Sequence, residues 1–287
     1  MKHFLVPTDF SETADIALEF AIESLKFVPA TITLVHAFEL VNNMYVDYMG
    51  AHREFHENLT REIQNKLDQI KNRVREQHGV ELKTLLSKEH LGAALSGITE
   101  EEKVDMIIMG TLGASGIKSK LWGSRTSSVI SNSTVPVMAI PHNFHWKKPN
   151  AFLLATNQFV KSSGILDYIF ELAGLYLSTV HSVVFTSKEE DKAGTFIRHQ
   201  KEIEEYGNYL KETYKEDSLS SAHLYGDDFE DTLEEYIIEN KVDILIMITR
   251  QQSFWKNLFN RSATQQMSFH TQIPLLAIPE SFKNQKS

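Results

Sequence analysis

The chain has 287 residues, a formal net charge of −9, no cysteine, and 42% hydrophobic against 23% charged residues. That length suits two ordinary domains with a core in each, and the acidic balance argues against nucleic acid or an anionic membrane as partner. Lack of cysteine excludes disulfides, thiolate metal sites and a cysteine nucleophile, and no apolar run nears the roughly 20 residues of a membrane span.

The opening run Met1-Lys2-His3-Phe4-Leu5-Val6-Pro7 is too short for an export signal, so the cytoplasm is the expected location. Residues 3–8 read as a strand, and residues 12–27 as a helix opened by Ser11 with Glu12 in its first turn. A β-branched run over 31–37 gives a second strand, and the charge-rich stretch 51–78 a helix. A strand at 81–86, a helix at 93–102, a strand at 104–109, a helix from Ser124 and a strand at 136–140 complete the first set. The order then repeats with strands at 151–155, 180–186, 220–225, 242–248 and 274–278, and helices at 162–177, 198–215, 228–240 and 261–270.

The repetition is also literal. Val104-Asp105-Met106-Ile107-Ile108-Met109 returns as Val242-Asp243-Ile244-Leu245-Ile246-Met247, and Ala139-Ile140-Pro141 as Ala277-Ile278-Pro279. Leu5-Val6-Pro7-Thr8-Asp9 parallels Leu153-Leu154-Ala155-Thr156-Asn157, and Gly92 is read as the partner of Gly226. Two long copies mean a duplicated domain rather than a solenoid. The seam is the short polar stretch from His142 to Pro149, closed by the proline and with His142 and His145 read as exposed, giving domains 1–143 and 148–287. Continuous apolar strands alternating with helices imply an α/β fold, two tandem doubly wound domains of five parallel strands each.

Such sheets bind ligands at the carboxyl ends of the strands, where the winding reverses. The loop after strand four carries Gly110, Gly113, Gly123 and Ser124. Glycines there admit a bulky anion and permit positive φ. Gly123-Ser124 falls where a helix starts, so bare N–H groups and the helix dipole favour phosphates, with Ser124 as N-cap and hydroxyl donor.

With those residues in view, the whole chain resembles a tandem universal stress protein, and the glycine spacing resembles that family's ATP motif. The resemblance implies an adenine nucleotide alpha hydrolase-like fold of universal stress protein type. It implies that Pro7, Thr8 and Asp9 border the nucleotide, with Asp9 on the adenosine part. His36 and Ala37 offer backbone groups to adenine, and Met109 lines the pocket. Gly110, Gly113, Gly123, Ser124, Arg125 and Thr126 hold the phosphates of ATP, with magnesium as an optional companion. It implies a regulatory stress-response role in which ATP is bound rather than efficiently turned over, by a pseudo-dimer whose fifth strands, Val137 to Ile140 and Leu275 to Ile278, pair. Further homodimerisation and a regulatory protein partner stay open.

The second copy departs from the motif: Ile248, Gln251 and Arg261 replace the three glycines and Asn157 replaces Asp9, leaving Ser262. Isoleucine and glutamine fill space and resist positive φ, so nucleotide is expected in the N-terminal copy only. Two other readings stand beside this one: a slow ATPase or nucleotide hydrolase using Asp9, and a nucleotide-free adaptor that contacts partners through Phe254-Trp255 and Leu258-Phe259. His52 and His56, four apart, read as a solvated helix face rather than a metal site, and neither a catalytic triad nor a Walker lysine is present.

Overall fold

The computed structural model describes residues 1–39, 51–111, 124–156, 159–187, 195–214, 219–249 and 272–284. Its first half runs β1 (Lys2–Pro7), α1 (Glu12–Ser24), β2 (Ala30–Ala37), α2 (Ala51–His78), β3 (Leu82–Ser87), α3 (Leu91–Glu102), β4 (Met106–Gly110), α4 (Ser124–Asn132) and β5 (Val137–Ile140). The second runs β6 (Ala151–Thr156), α5 (Ser163–Tyr176), β7 (Thr179–Ser187), α6 (Thr195–Tyr214), β8 (Ser220–Gly226), α7 (Phe229–Glu239), β9 (Ile244–Thr249) and β10 (Leu275–Pro279). The helix expected over 261–270 lies outside the described residues.

All ten strands join one sheet, ordered β3-β2-β1-β4-β5-β10-β9-β6-β7-β8. Every pairing is parallel except β5 with β10, which run antiparallel with Leu276 opposite Met138. The fifth strands therefore meet as expected, and they fuse two five-stranded sheets. The halves share register: Phe4 faces Met106 in the first, and Phe152 faces Ile244 in the second.

Both faces of this sheet are covered, which is why its strands lack alternation. Val6, Leu34, Ile108 and Met138 pack beneath α1 and α2, with Ala17, Phe20, Ile63 and Leu67 closing over them. Their strand neighbours Leu5, Val35, Ile107 and Val137 point the other way, toward Leu95 of α3 and Val129 of α4. The repeated aspartates have a structural task. Asp105 accepts the His3 N–H at 2.7 Å, and Asp243 accepts the N–H groups of Asn150 and Ala151 at 2.8 and 3.2 Å. Each thus satisfies backbone donors at the opening of the neighbouring first strand.

Three expectations need correction. Gly92 lies inside α3 whereas Gly226 ends β8, so they are not counterparts. α1 stops at Ser24, where a tight turn takes over with Val28 N–H donating to the Ser24 carbonyl at 2.8 Å. The segment between the halves is more than a polar spacer. Phe144 is buried, and Phe144 and Trp146 close on Phe20 of α1 at 5.8 and 5.1 Å. His142 and His145 within it are exposed as read.

Lys103 and Lys241, matched residues after α3 and α7, both adopt the left-handed region, with φ of 52° and 50°. A β-carbon there costs about 1 kcal/mol. Lys103→Gly should raise the unfolding free energy by about 0.5–1 kcal/mol, read as a higher urea midpoint; an unchanged or lower midpoint contradicts the strain.

Candidate functional site

Within the first sheet β2 and β3 lie on one side of β1, and β4 and β5 on the other. The winding therefore reverses between β1 and β4, and the chain crossing their carboxyl ends forms the crevice where ligands settle in doubly wound sheets. Pro7 ends β1, Ala37 ends β2 and Gly110 ends β4, so these residues share one edge of the sheet.

The loop after β1 is built by short polar bonds. Thr8 is buried; its N–H donates to the Val35 carbonyl at 2.8 Å, and its hydroxyl oxygen accepts the Phe10 N–H at 3.0 Å. Asp9 Oδ1 accepts both the backbone N–H and the hydroxyl of Ser11. Ser11 in turn caps α1 by accepting the Ala14 N–H at 3.3 Å. That leaves Asp9 Oδ2 facing Arg125, whose guanidinium stands 3.8 Å away on the first turn of α4. Arg125 is 68% exposed and Asp9 23%, so the pair contributes little to stability. It does mark how closely α4 approaches the β1 loop.

Phe10 is the residue that sequence reasoning missed. It sits at φ 62°, unusual for a residue with a β-carbon. That turn lays its ring on His36, with centroids 4.5 Å apart and planes 23° from parallel. Lys66 of α2, also missed, holds its ammonium 5.7 Å from the Phe10 ring centre. No local motif announces either contact, since both join segments far apart in the chain. His36 Nδ1 is 2.8 Å from the Thr8 carbonyl oxygen. Burial pulls the His36 pKa below its ordinary 6.5. The bond to Thr8 and the Asp9 carboxylate oppose that fall, while Lys66 and Arg125 add to it.

Gly110 turns out to be required by the protein's own packing. A β-carbon there would stand 2.6 Å from the Thr13 carbonyl oxygen and 2.9 Å from its carbon, both in the first turn of α1. Left-handed backbone is not its reason: the glycine with positive φ among the described residues is Gly79. Thr126 is likewise committed to structure, buried with its hydroxyl donating to the carbonyls of Gly110 at 2.9 Å and Thr111 at 3.3 Å. These bonds tie the start of α4 to the end of β4. Ser124 opens α4 and is exposed, as is Arg125 after it. Met109 is buried among the side chains packed under α3 and α4. Gly113 and Gly123 lie outside the described residues.

In the second half Ile248 occupies the place of Gly110 and packs against the core. α5 opens at Ser163 after β6 ends at Thr156, a longer loop than that from Pro7 to Glu12. Asn157, Arg250, Gln251, Arg261, Ser262 and the Phe254–Phe259 stretch lie outside the described residues.

The universal stress protein family model matches residues 1–141. A universal stress protein of Methanocaldococcus jannaschii is 32% identical over 154 residues, a match that takes in 48% of this chain and 94% of that protein. The chain belongs to the universal stress protein family. A second universal stress protein of the same organism is 27% identical over 139 residues and 81% of its length. Each of these matches takes in about half of this chain. The doubled architecture has a solved counterpart in a universal stress protein from Archaeoglobus fulgidus. It superposes with a TM-score of 0.62 over 99% of this chain and 97% of that one, at 18% identity, which is a likeness of fold.

Proposed function

We propose that this universal stress protein binds ATP in its N-terminal domain, residues 1–143, and acts in stress responses by binding rather than by turnover. The observation that carries the reading is the convergence of Asp9 at the end of β1 and Arg125 at the exposed start of α4. A carboxylate suits the hydroxyls of a ribose, and a guanidinium beside a helix N-terminus suits a chain of phosphates. Magnesium would accompany the phosphates as their counter-ion. Asp9 already accepts two bonds from Ser11 and faces Arg125, which makes it a poor base for activating water. Hydrolysis is therefore slow in this reading. The second domain, residues 148–287, has isoleucine at the position of Gly110 and serves as the structural partner that covers β5.

Calorimetric titration of the whole chain with magnesium-ATP should give one site per chain, with phosphate release far slower than nucleotide exchange. Two equivalent sites would overturn the assignment to the N-terminal domain. Absence of any heat or thermal shift would transfer support to the nucleotide-free adaptor.

A further inference from the structure

We propose that Glu19, Glu23 and His78 form a site for one divalent transition-metal ion, zinc by the chemistry of the donors, between the ends of α1 and α2. The site stands apart from the nucleotide reading. Glu19 and Glu23 belong to the second half of α1, about 10 and 16 Å of helix from the Glu12 end beside the crevice.

Two helices bring the three groups together. Glu19 and Glu23 are four apart on α1 and so share a face, while Ala17, Phe20 and Ala21 turn into the core. His78 is the last residue of α2. One donor atom from each side chain lies within 4.8 Å of the other two, and His78 Nε2 is 3.8 Å from Glu19 Oε2. Donors held at about 2.0–2.1 Å in a tetrahedron stand about 3.4 Å apart, so closing on zinc takes about an ångström of side-chain rotation.

The electrostatics of the place favour a cation. α1 and α2 both end at the cluster, which puts the negative ends of two helix dipoles there. Carboxylates at this spacing on a helix also repel each other. Lys26 offsets part of that charge, with its ammonium 2.6 Å from Glu23, yet its own side chain is 63% exposed and an ion of double charge displaces it. Arg73, the other cation close by, is paired with Asp15 at 3.2 Å. One imidazole nitrogen with two carboxylates suits zinc, whereas magnesium and calcium take sets made of oxygen. Glu19 and His78 also line a groove of about 430 Å³ between the helices, with Glu12, Asp15, Arg73 and Gln77. Three protein donors leave the fourth tetrahedral position to water, and the groove has room for it. Bound there, the ion joins the end of α2 to α1 and stabilises the folded chain by mass action.

The test uses the whole chain, stripped with EDTA and kept free of nucleotide, so that failure of this site and failure of ATP binding are read separately. Calorimetric titration with zinc chloride should show one site per chain, and excess zinc should raise the thermal midpoint. Cobalt(II) in place of zinc should give the intensified visible absorption of tetrahedral coordination. His78→Ala and Glu23→Gln each remove a donor and should weaken zinc binding about tenfold or more, since disturbing even the groups behind a ligand costs that much. Glu19→Gln, at an exposed position, gives the same reading if either of those variants fails to fold. Undiminished zinc affinity in the folded variants, or no zinc binding by the wild type, overturns the inference whatever the outcome with ATP.

Discussion

Gly110→Val should lower the unfolding free energy by about 3 kcal/mol and abolish ATP binding in the same variant. The reason is backbone against backbone. The added β-carbon would sit 2.6 Å from the Thr13 carbonyl oxygen, a distance that real β-carbons do not tolerate. Neither party yields cheaply. β4 is hydrogen-bonded to β1 on one side and β5 on the other, with Ile107 and Ile108 fully inside. α1 is held by the Ser11 cap and by Ala17, Leu18 and Phe20 packed into the core. Relief therefore pushes the first turn of α1 outward, which breaks the Ser11 and Asp9 bonds and moves Asp9 away from Arg125. Gly110→Ala carries the same β-carbon and should already cost about 2 kcal/mol, with valine's branches adding the rest. Urea unfolding followed by circular dichroism reads the loss. A Gly110→Ala midpoint equal to that of the wild type would show that α1 does not approach β4 as described.

Much of this architecture could be read from residue types alone, because it depends on local pattern. Continuous apolar runs such as Met106-Ile107-Ile108-Met109 announce strands covered on both faces, and the second Val-Asp copy fixes where the duplicate strand lies. Ser11 followed by Glu12 marks the start of α1, and the hydroxyl does cap it. Pairing of the fifth strands followed from family resemblance, and the antiparallel ladder of β5 and β10 bears it out. The features that escaped are those set by contacts between distant segments. Phe10 reads as an ordinary loop aromatic, and only its left-handed backbone and the place of His36 in β2 turn it into a stacked pair. Phe144 and Trp146 look like incidental aromatics in a polar seam until Phe20 of α1 is brought beneath them. Gly110 was singled out for its room toward a ligand, yet the neighbour that demands a glycine is Thr13, which no spacing rule connects to it.

That distinction gives the glycines separable roles, and Gly113→Val is the variant that exposes it. Gly113 follows β4 in the sequence rather than ending it. In this reading its task is to leave backbone accessible to phosphate and to adopt torsions that a β-branched residue resists. Valine there should weaken ATP binding by about a hundredfold or more, with the urea midpoint within about 0.5 kcal/mol of wild type. The chain contains its own precedent, since the second copy carries Gln251 at the matched position while retaining β9 and β10 in the common sheet. Folding thus tolerates a side chain in this stretch of the repeat, and a nucleotide is what it would obstruct. Paired measurements sort the two glycines. Gly110 variants should lose stability and binding together, whereas Gly113→Val should lose binding alone. Retained ATP affinity in Gly113→Val would remove the glycine-rich loop from the site and leave Asp9, Arg125 and the start of α4 without the phosphate cradle they are proposed to complete.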